Sequence, residues 1–475
     1  MTKFRFFAMV LLFSAGLFAQ DIPGLTHREL DNGLELFMVE NHNVPLTTVQ
    51  ITFRCGALTQ SPETAGLFHL YEHMLFKGNR AFPTQTEFMA AMKSLGVGNW
   101  NGGTSTEYVT YYFTIPSAKT EEGIAFWSEA VRYPLFDEAE LEIEKDVVIN
   151  EIKGYHNDPQ DNFRQALVKR LFYKFPWRRD VSGPVDVVQN CTVEQLKEMQ
   201  ETFYTPDNGA LFVAGDIDPD AVEAAVERLM GDWEANPQPY VIEESHPPME
   251  QSERLVFQEP SLYPGFAKIG LLMRGPDVLD DPEATYAADV LLTLLSDPES
   301  RFRQTIFDKV PGLYAPEYIT KSYYTQKDGG QITFGAFAVI DEGADPYEIA
   351  ELFQNAVFEE VKLMVNEPDY FGAEEYEIMK NILEDQQLLA MEVPSSLISN
   401  LSFWWASASS DYFWDYIKNM QAVGPADIAS YLEDYVVDKP WLLSVQMSPD
   451  LYEQHPAGEG YEEIVKESAY WWQSR

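Results

Sequence analysis

The chain has 475 residues, 45% of them hydrophobic, and a formal net charge of −43 at pH 7. This length suits two domains with large cores, because single domains usually hold about 100–200 residues. The strong negative charge argues against nucleic acids and anionic membrane surfaces as partners, and it favours basic peptides.

The first twenty residues have the pattern of an export signal. Lys3 and Arg5 precede a largely apolar run of thirteen residues, Phe6–Phe18, and Ala19 follows it. We predict a signal peptide over residues 1–20, with cleavage after Ala19. A membrane anchor is the alternative, but so short a run hardly spans a bilayer. The mature chain is therefore expected to be exported, periplasmic or secreted, and to have no membrane anchor.

The next part of the chain, residues 21–233, alternates strand and helix patterns and is expected to form an N-terminal domain. The predicted strands are two within Leu30–Leu58, then Tyr108–Ile115 and Ala210–Ala214. The predicted helices are one from about Glu63, then Phe88–Leu95, Lys119–Tyr133, a helix within Phe136–Pro159, Asn162–Tyr173, Thr192–Phe203 and Asp218–Trp233. Thr192 and Gln195 have the spacing of a capping box, which predicts where the sixth of these helices begins.

A linker rich in proline and acidic residues, residues 234–253, then predicts a domain boundary. Beyond it, residues 254–475 repeat the pattern in outline. The predicted strands are Arg254–Phe257, Phe266–Met273, Ala315–Thr325 and Gly330–Ala338, with a long helix at Pro282–Leu295. The similar size and element order of the two parts predict an α+β fold of two homologous domains that arose by duplication.

The segment Gly66 to Gly78, GLFHLYEHMLFKG, contains the pattern H-x-x-E-H at His69, Glu72 and His73. On a helix the two imidazoles lie four residues apart, so both project from one face and can reach one ion. Two neutral imidazoles suit zinc, and a catalytic zinc needs one more protein ligand and an open position. The alternative is a pair of structural histidines on an amphipathic helix.

The predicted helix within Phe136–Pro159 carries two carboxylates with helical spacing. Glu144 and Glu151 are seven residues, or two turns, apart, so they share a face. At a metal site one carboxylate would bind the ion and the other would hold a ligand histidine in place. Alone, such a pair is more typical of a solvated surface in an acidic chain.

Together these motifs resemble the inverzincins, the family of pitrilysin, insulysin and mitochondrial processing peptidase. H-x-x-E-H is followed, after 77 intervening residues, by Glu151 in the context EKDVVINEI. The family's NA-T-S-x-(D/E)-x-T-x-Y strand motif appears as NGGTSTEYVTY over Asn101–Tyr111, and its Y-x-P-x-N…GD segment as YTPDNGALFVAGD over Tyr204–Asp216. The resemblance extends over nearly the whole mature chain.

The resemblance implies a zinc metalloendopeptidase with one Zn²⁺ per chain. It implies that His69, His73 and Glu151 are the zinc ligands, Glu72 the catalytic base and Glu144 the carboxylate that orients a ligand histidine. Two other functions remain as alternatives. One is a non-catalytic binding or structural subunit on the same fold, like the respiratory-complex core proteins, and the other is an unrelated exported binding protein.

The resemblance also implies how a peptide would bind and how each domain is built. The substrate would lie extended along the strand Thr104–Phe113, which would be a sheet edge, with Asn101, Gly102, Gly103 and Thr104 as substrate-binding residues. The alternative is that Thr104–Phe113 is an ordinary core strand. The two glycines would let the peptide backbone approach closely. Each domain would consist of a mostly antiparallel sheet covered by a layer of helices.

The second domain departs from the family in one sequence motif. Family members that act alone or as identical subunits carry S-R-L-F-x-x-L-R-E-x-x-G-L-A-Y there, with an Arg and a Tyr that reach the substrate. Counted from Gly312, the Arg position holds Asp308 and the Tyr position holds Ala315. A register shifted by one recovers Tyr314 but places Phe307 at the Arg position.

The missing Arg predicts a heterodimer with a homologous subunit that carries the Arg/Tyr pair and lacks the zinc motif. The two chains would enclose a chamber that admits peptides and unfolded segments. The alternative is a local loop in which Arg301 or Arg303 takes the missing role. Cys55 and Cys191 lie in distant segments, so we expect two free, buried thiols rather than a disulfide.

Overall fold

The computed structural model describes residue 22 and residues 24–236, 240–242, 244–465 and 470–474. The predicted signal peptide, residues 1–20, lies outside these described residues. Across the described ranges, no helix has both the length and the apolar character needed to cross a membrane.

The first half of the chain forms a six-stranded sheet. Its strands are β1 (Leu25–Glu29), β2 (Glu35–Glu40), β3 (Leu46–Phe53), β4 (Asn99–Thr104), β5 (Val109–Pro116) and β6 (Gly209–Gly215). They lie in the order β1-β2-β6-β3-β5-β4, with β2 and β6 parallel and the other neighbours antiparallel. The prediction of two strands within Leu30–Leu58 is confirmed by β2 and β3.

Helices of the first half cover one face of this sheet and form the first large core with it, except the fifth of them, which packs on the second sheet. They are α1 (Leu67–Leu75), α2 (Gln85–Leu95), α3 (Thr120–Arg132), α4 (Glu138–Tyr155), α5 (Pro159–Leu171), α6 (Val185–Gln189), α7 (Val193–Phe203) and α8 (Pro219–Met230). The predicted capping box of Thr192 and Gln195 is present at the start of α7. Helix α5 begins three residues before the predicted Asn162, because Asp158 caps it and Pro159 suits its first position.

The second half forms another six-stranded sheet. Its strands are β7 (Glu253–Gln258), β8 (Phe266–Arg274), β9 (Thr320–Tyr324), β10 (Gln331–Val339), β11 (Leu442–Met447) and β12 (Tyr461–Glu463). The order is β12-β7-β11-β8-β10-β9, so five strands repeat the order β2-β6-β3-β5-β4 of the first sheet. This shared topology confirms the α+β fold of two homologous domains with mostly antiparallel sheets.

The second domain has its own helical layer and core. Its helices are α9 (Pro282–Leu294), α10 (Arg301–Lys309), α11 (Pro346–Asn366), α12 (Ala373–Met391), α13 (Pro394–Ser407), α14 (Ser410–Ala422), α15 (Pro425–Tyr435) and α16 (Pro449–Gln454). The boundary predicted over residues 234–253 falls between α8 and β7 and stays a prediction.

Each domain covers the second face of the other domain's sheet with one helix. Helix α13 of the second domain packs Leu397, Leu401 and Trp405 on β2 and β6 of the first sheet. Helix α5 of the first domain packs Phe163 and Ala166 on the second sheet. This exchange buries apolar surface from both sheets, so it fixes the two domains against each other.

Two strand predictions are wrong in extent. The segment Thr104–Phe113 is not one edge strand: β4 ends at Thr104, and β5 lies between β3 and β4. The segment Ala315–Thr325 begins with a short 3₁₀ turn at Pro316–Tyr318, so β9 covers only its second part. Strands β1, β11 and β12 have no counterpart among the predicted strands.

Both cysteines are free and buried, as expected from their separation in the sequence. Cys55 follows β3, and Cys191 lies just before α7. Burial raises the pKa of the Cys55 thiol well above its usual value and that of Cys191 to about 12. Both thiols are therefore protonated and unreactive at neutral pH.

Candidate metal centre

The H-x-x-E-H pattern lies in α1, whose apolar residues anchor it in the first core. Its buried side chains are Leu67, Phe68, Leu70, Tyr71, Met74 and Leu75. The helix begins after Gly66, which has a positive φ of 85°. A Cβ at Gly66 would lie 2.4 Å from the Ser182 carbonyl oxygen, so the close approach of that loop requires glycine here. The remaining face of α1 presents His69, Glu72 and His73, which are partly exposed.

The two carboxylates predicted to share a face lie on α4, which packs against α1. Helix α4 begins at an Asp137 cap and buries Leu141, Val148 and Ile152 in the first core. These apolar contacts direct Glu144 and Glu151 toward the two histidines. Glu144 is nearly buried, with 6% of its side chain exposed, whereas Glu151 is 39% exposed.

Three donor atoms converge between the two helices. The Glu151 Oε2 atom lies 3.7 Å from His69 Nε2 and 3.8 Å from His73 Nε2. Ligand atoms of these three residues all lie within 4.8 Å of one another. These separations are too long for hydrogen bonds but approach the spacing of about 3.4 Å between donors around a tetrahedral zinc ion. The donor set and its geometry therefore fit zinc.

The surroundings of the two histidines shift their pKa values in opposite directions. Burial, together with the nearby His73, lowers the pKa of His69 to about 4, so this imidazole is neutral at pH 7. Its Nδ1 atom is buried and has no hydrogen-bond partner within the described part of the chain. Burial disfavours protonation of His73 as well, but its hydrogen bond to Glu144 and the charges of Glu151 and Glu72 outweigh burial and raise its pKa.

Glu144 contacts the His73 ring through a hydrogen bond. The Glu144 Oε2 atom lies 3.0 Å from His73 Nδ1, and the Lys77 ammonium pairs with Glu144 Oε1. When Nδ1 carries the proton donated to Glu144, the lone pair of Nε2 faces Glu151. Burial alone would raise the pKa of Glu144, but His73 and Lys77 outweigh it and lower the pKa. Sequence reasoning missed Lys77, although it lies one helical turn after His73.

We expect Glu144→Gln to weaken zinc binding about 10- to 100-fold, because an amide holds the His73 ring less firmly than a carboxylate does. The measurement is the zinc dissociation constant, obtained by competition with a chromogenic chelator. The control is Glu138→Gln, an exposed position at the start of the same helix, which should leave affinity unchanged. Wild-type zinc affinity in Glu144→Gln would show that this residue does not support the metal centre.

Glu72 lies beside the three donor atoms and is held by a residue of strand β4. The Thr104 hydroxyl donates a 2.7 Å hydrogen bond to Glu72 Oε2. Burial raises the pKa of Glu72, and this effect exceeds the opposing effect of the Thr104 bond. A carboxylate with a raised pKa, fixed next to a metal site, is suited to accept and return a proton.

The free edge of the first sheet runs past this centre. Strand β4 is the last strand in the sheet order, and Asn99, Trp100 and Asn101 on it are exposed. A Cβ at Gly103 would meet open space, whereas one at Gly102 would lie 2.9 Å from the Phe76 ring. The reason for glycine at 102 is therefore internal packing, and only Gly103 leaves room for a peptide backbone.

In the second domain, the candidate substitutes for the missing arginine are already engaged locally. The Arg301 guanidinium donates to Glu367 and lies 4.2 Å from the centre of the Tyr370 ring. Arg303 is buried, and its Nε donates to the Leu295 carbonyl. Tyr314, which the shifted register places at the family's Tyr position, is 48% exposed. Neither arginine is thus free to reach a substrate without breaking these contacts.

Comparison with known families agrees with this geometry. The family described as "Insulinase (Peptidase family M16)" matches residues 36–185, and "Peptidase M16 inactive domain" matches residues 190–383. The two matches together cover most of the chain, so the protein belongs to the M16, or insulinase and pitrilysin-like, peptidase family. Its relatives are named as zinc proteases, which agrees with the donor set of His69, His73 and Glu151.

Curated relatives are similar over less than half of the chain. The chain is 28% identical over 204 residues to the uncharacterized zinc protease YmxG of Bacillus subtilis, covering 43% of this chain and 49% of that protein. It is 26% identical over 208 residues to a probable mitochondrial-processing peptidase subunit beta of Arabidopsis thaliana. The match covers 44% of this chain and 39% of that protein. The matched region thus spans half or less of these relatives.

Solved structures share the fold over nearly the whole chain. The first half of the periplasmic protease PqqL from Escherichia coli aligns with a TM-score of 0.75 and 18% identity, covering 92% of this chain and 94% of that one. A putative M16-like peptidase from Alicyclobacillus acidocaldarius aligns with a TM-score of 0.74 and 19% identity, covering 91% and 100%. In the alignment with the complete PqqL chain, this chain covers 49% of PqqL.

Proposed function

We propose that this chain is the zinc-bearing subunit of an endopeptidase that hydrolyses peptides or unfolded segments. The observation that carries the proposal is the convergence of His69, His73 and Glu151 beside a partly buried Glu72. A set of two histidines and one glutamate is typical of a catalytic rather than a structural zinc site. Membership of the M16 family supports the same reaction class.

The proposed roles follow from the contacts of each residue. His69, His73 and Glu151 would hold zinc, which when bound supplies a Lewis acid that polarises water and a peptide carbonyl. Glu72 takes a proton from the attacking water and returns it to the leaving amine. Thr104 keeps the Glu72 carboxylate in place for both transfers, through its 2.7 Å hydrogen bond.

We infer that the substrate adds to the free edge of β4 as an extended strand. Main-chain groups of an edge strand pair with a peptide independently of its sequence, which suits an enzyme for unfolded segments. Asn101, Gly102, Gly103 and Thr104 belong to this edge, and Thr104 connects it directly to Glu72. A peptide on β4 would therefore pass the proton-transfer group at a fixed distance.

The charge of the chain supports a preference for basic peptides. The formal net charge is −43, and like-charged walls would repel acidic peptides and attract basic ones in a salt-dependent way. We further propose export to the periplasm or medium, which the signal-like pattern of residues 1–20 supports.

We propose that a homologous subunit completes the substrate site. Asp308 and Phe307 replace the family's arginine, and Arg301 and Arg303 are held in local contacts. The purified chain alone is expected to bind zinc but to cleave a quenched-fluorescence basic peptide slowly. An equimolar subunit with the Arg/Tyr pair should raise the rate, and a chelator should abolish it.

Two outcomes contradict different parts of this proposal. Full, chelator-sensitive cleavage by the isolated chain, unchanged by the second subunit, would refute the heterodimer and leave the zinc peptidase. Zinc binding without cleavage in either preparation would instead favour the alternative function, a non-catalytic subunit on the same fold.

A further inference from the structure

The last described segment, residues 470–474, returns from the second domain to the first. We call it the C-terminal strap. Strand β12, which precedes it in the chain, lies at the edge of the second sheet. Tyr470, Trp472 and Gln473 of the strap nevertheless contact residues of the first domain. The end of the chain therefore connects the second domain to the domain of the metal centre.

The Tyr470 hydroxyl joins two parts of the first domain. It donates a hydrogen bond to the carbonyl oxygen of Gly183. The same oxygen lies 2.8 Å from His156 Nε2. Which of the two atoms donates in this contact depends on the tautomer of His156. The other His156 nitrogen, Nδ1, lies 2.6 Å from Asp161 Oδ2, which fixes the imidazole ring.

The two residues that Tyr470 contacts, His156 and Gly183, lie at the ends of the two helices that carry the candidate metal ligands. His156 is the residue at which α4, the helix of Glu144 and Glu151, ends. Gly183 packs against the start of α1: a Cβ there would lie 2.2 Å from the Ala65 carbonyl oxygen and 2.4 Å from Gly66 Cα. One hydroxyl thus links the end of α4 to the loop that supports the start of α1.

The rest of the strap is anchored by independent contacts. The Gln473 amide donates to both carboxylate oxygens of Asp186, at 2.9 and 3.1 Å. The Trp472 ring lies 5.7 Å from that of Trp177, and Trp472 is 8% exposed. The position of Tyr470 is therefore set by its neighbours on the strap as well as by its own hydrogen bonds.

We propose that Tyr470 is a positioning residue of the metal centre, an inference that rests on the proposed function. The donor atoms come from two helices, so their spacing depends on how α1 and α4 lie relative to each other. Metal sites need their ligands held to within about 0.5 Å. By tying the end of α4 to the support of α1, Tyr470 keeps His69 and His73 at the correct distance from Glu151.

The test is Tyr470→Phe in the full-length chain, which removes the hydroxyl and keeps the ring. The zinc dissociation constant, measured by chelator competition, is expected to rise about 3- to 10-fold, less than for a residue bonded directly to a ligand. The matched control is Tyr347→Phe in the second domain, where the lost hydroxyl donates at 3.0 Å to the His455 carbonyl. The control should leave zinc affinity unchanged.

A double-mutant cycle with His156→Gln separates positioning from general destabilisation. If Tyr470 acts through His156, the effects of the two substitutions on zinc affinity should be non-additive. Urea unfolding of the metal-free variants reports any loss of stability separately. Equal zinc affinity in Tyr470→Phe and Tyr347→Phe, with zinc bound normally by the wild type, would overturn this inference alone. A wild type that binds no zinc would overturn the proposed function itself.

Discussion

Glu72→Gln is expected to retain one zinc per chain and to lose peptide cleavage by a factor on the order of 10²–10⁴, the usual contribution of a general acid–base group. The amide has nearly the shape of the carboxylate and can still accept the hydrogen bond from Thr104. It cannot accept a proton from water, so only the transfer step is lost. The measurement pairs zinc content with the cleavage rate of a basic peptide in the active assembly.

The matched control for this change is Glu63→Gln, an exposed glutamate shortly before α1 that lies outside the proposed machinery. Its rate should equal that of the wild type. If Glu72→Gln instead lost the metal while a zinc-reloaded sample cleaved normally, Glu72 would be a ligand rather than the base.

Replacing His69, His73 or Glu151 by alanine is expected to abolish stoichiometric zinc binding. Each change removes one of three protein donors, and the remaining two cannot enclose the ion. Zinc content after dialysis should fall from about one per chain to near zero, and cleavage should disappear with it. The folded state should persist, because these side chains are partly exposed and the apolar face of α1 is untouched.

The control for the ligand series is His27→Ala, a histidine on β1 with no contact to the centre. It should keep full zinc content. Retention of one zinc per chain in any single ligand variant would show that the corresponding residue does not bind the metal.

The part of the site that sequence reasoning predicted depends on local spacing. The positions His69, Glu72 and His73 share one helical face whatever the fold, and Glu144 and Glu151 share another. Helix periodicity therefore supplied both faces, and the resemblance to a known family supplied their pairing. The structure places these two faces opposite each other, with the Glu151 carboxylate 3.7 and 3.8 Å from the two imidazoles.

What sequence reasoning missed depends on contacts between distant segments. The edge strand was misplaced because the turn between Thr104 and Val109 separates two strands that the motif joins in one run. Strand β11 and the exchange of α5 and α13 between the domains involve residues far apart in the chain. The periodicity of α5 or α13 shows that each helix has an apolar face, but not which sheet that face packs on. These contacts could therefore not be predicted from the sequence.

An anomalous difference map at the zinc absorption edge, from crystals of the zinc-loaded protein, tests directly whether His69, His73 and Glu151 bind zinc. We predict one strong peak per chain, about 2.0–2.2 Å from His69 Nε2, His73 Nε2 and a Glu151 oxygen, with Glu72 near but not bound to it. A map without a peak between these three residues, or with its peak at other ligands, would show that they do not form the zinc site of a peptidase.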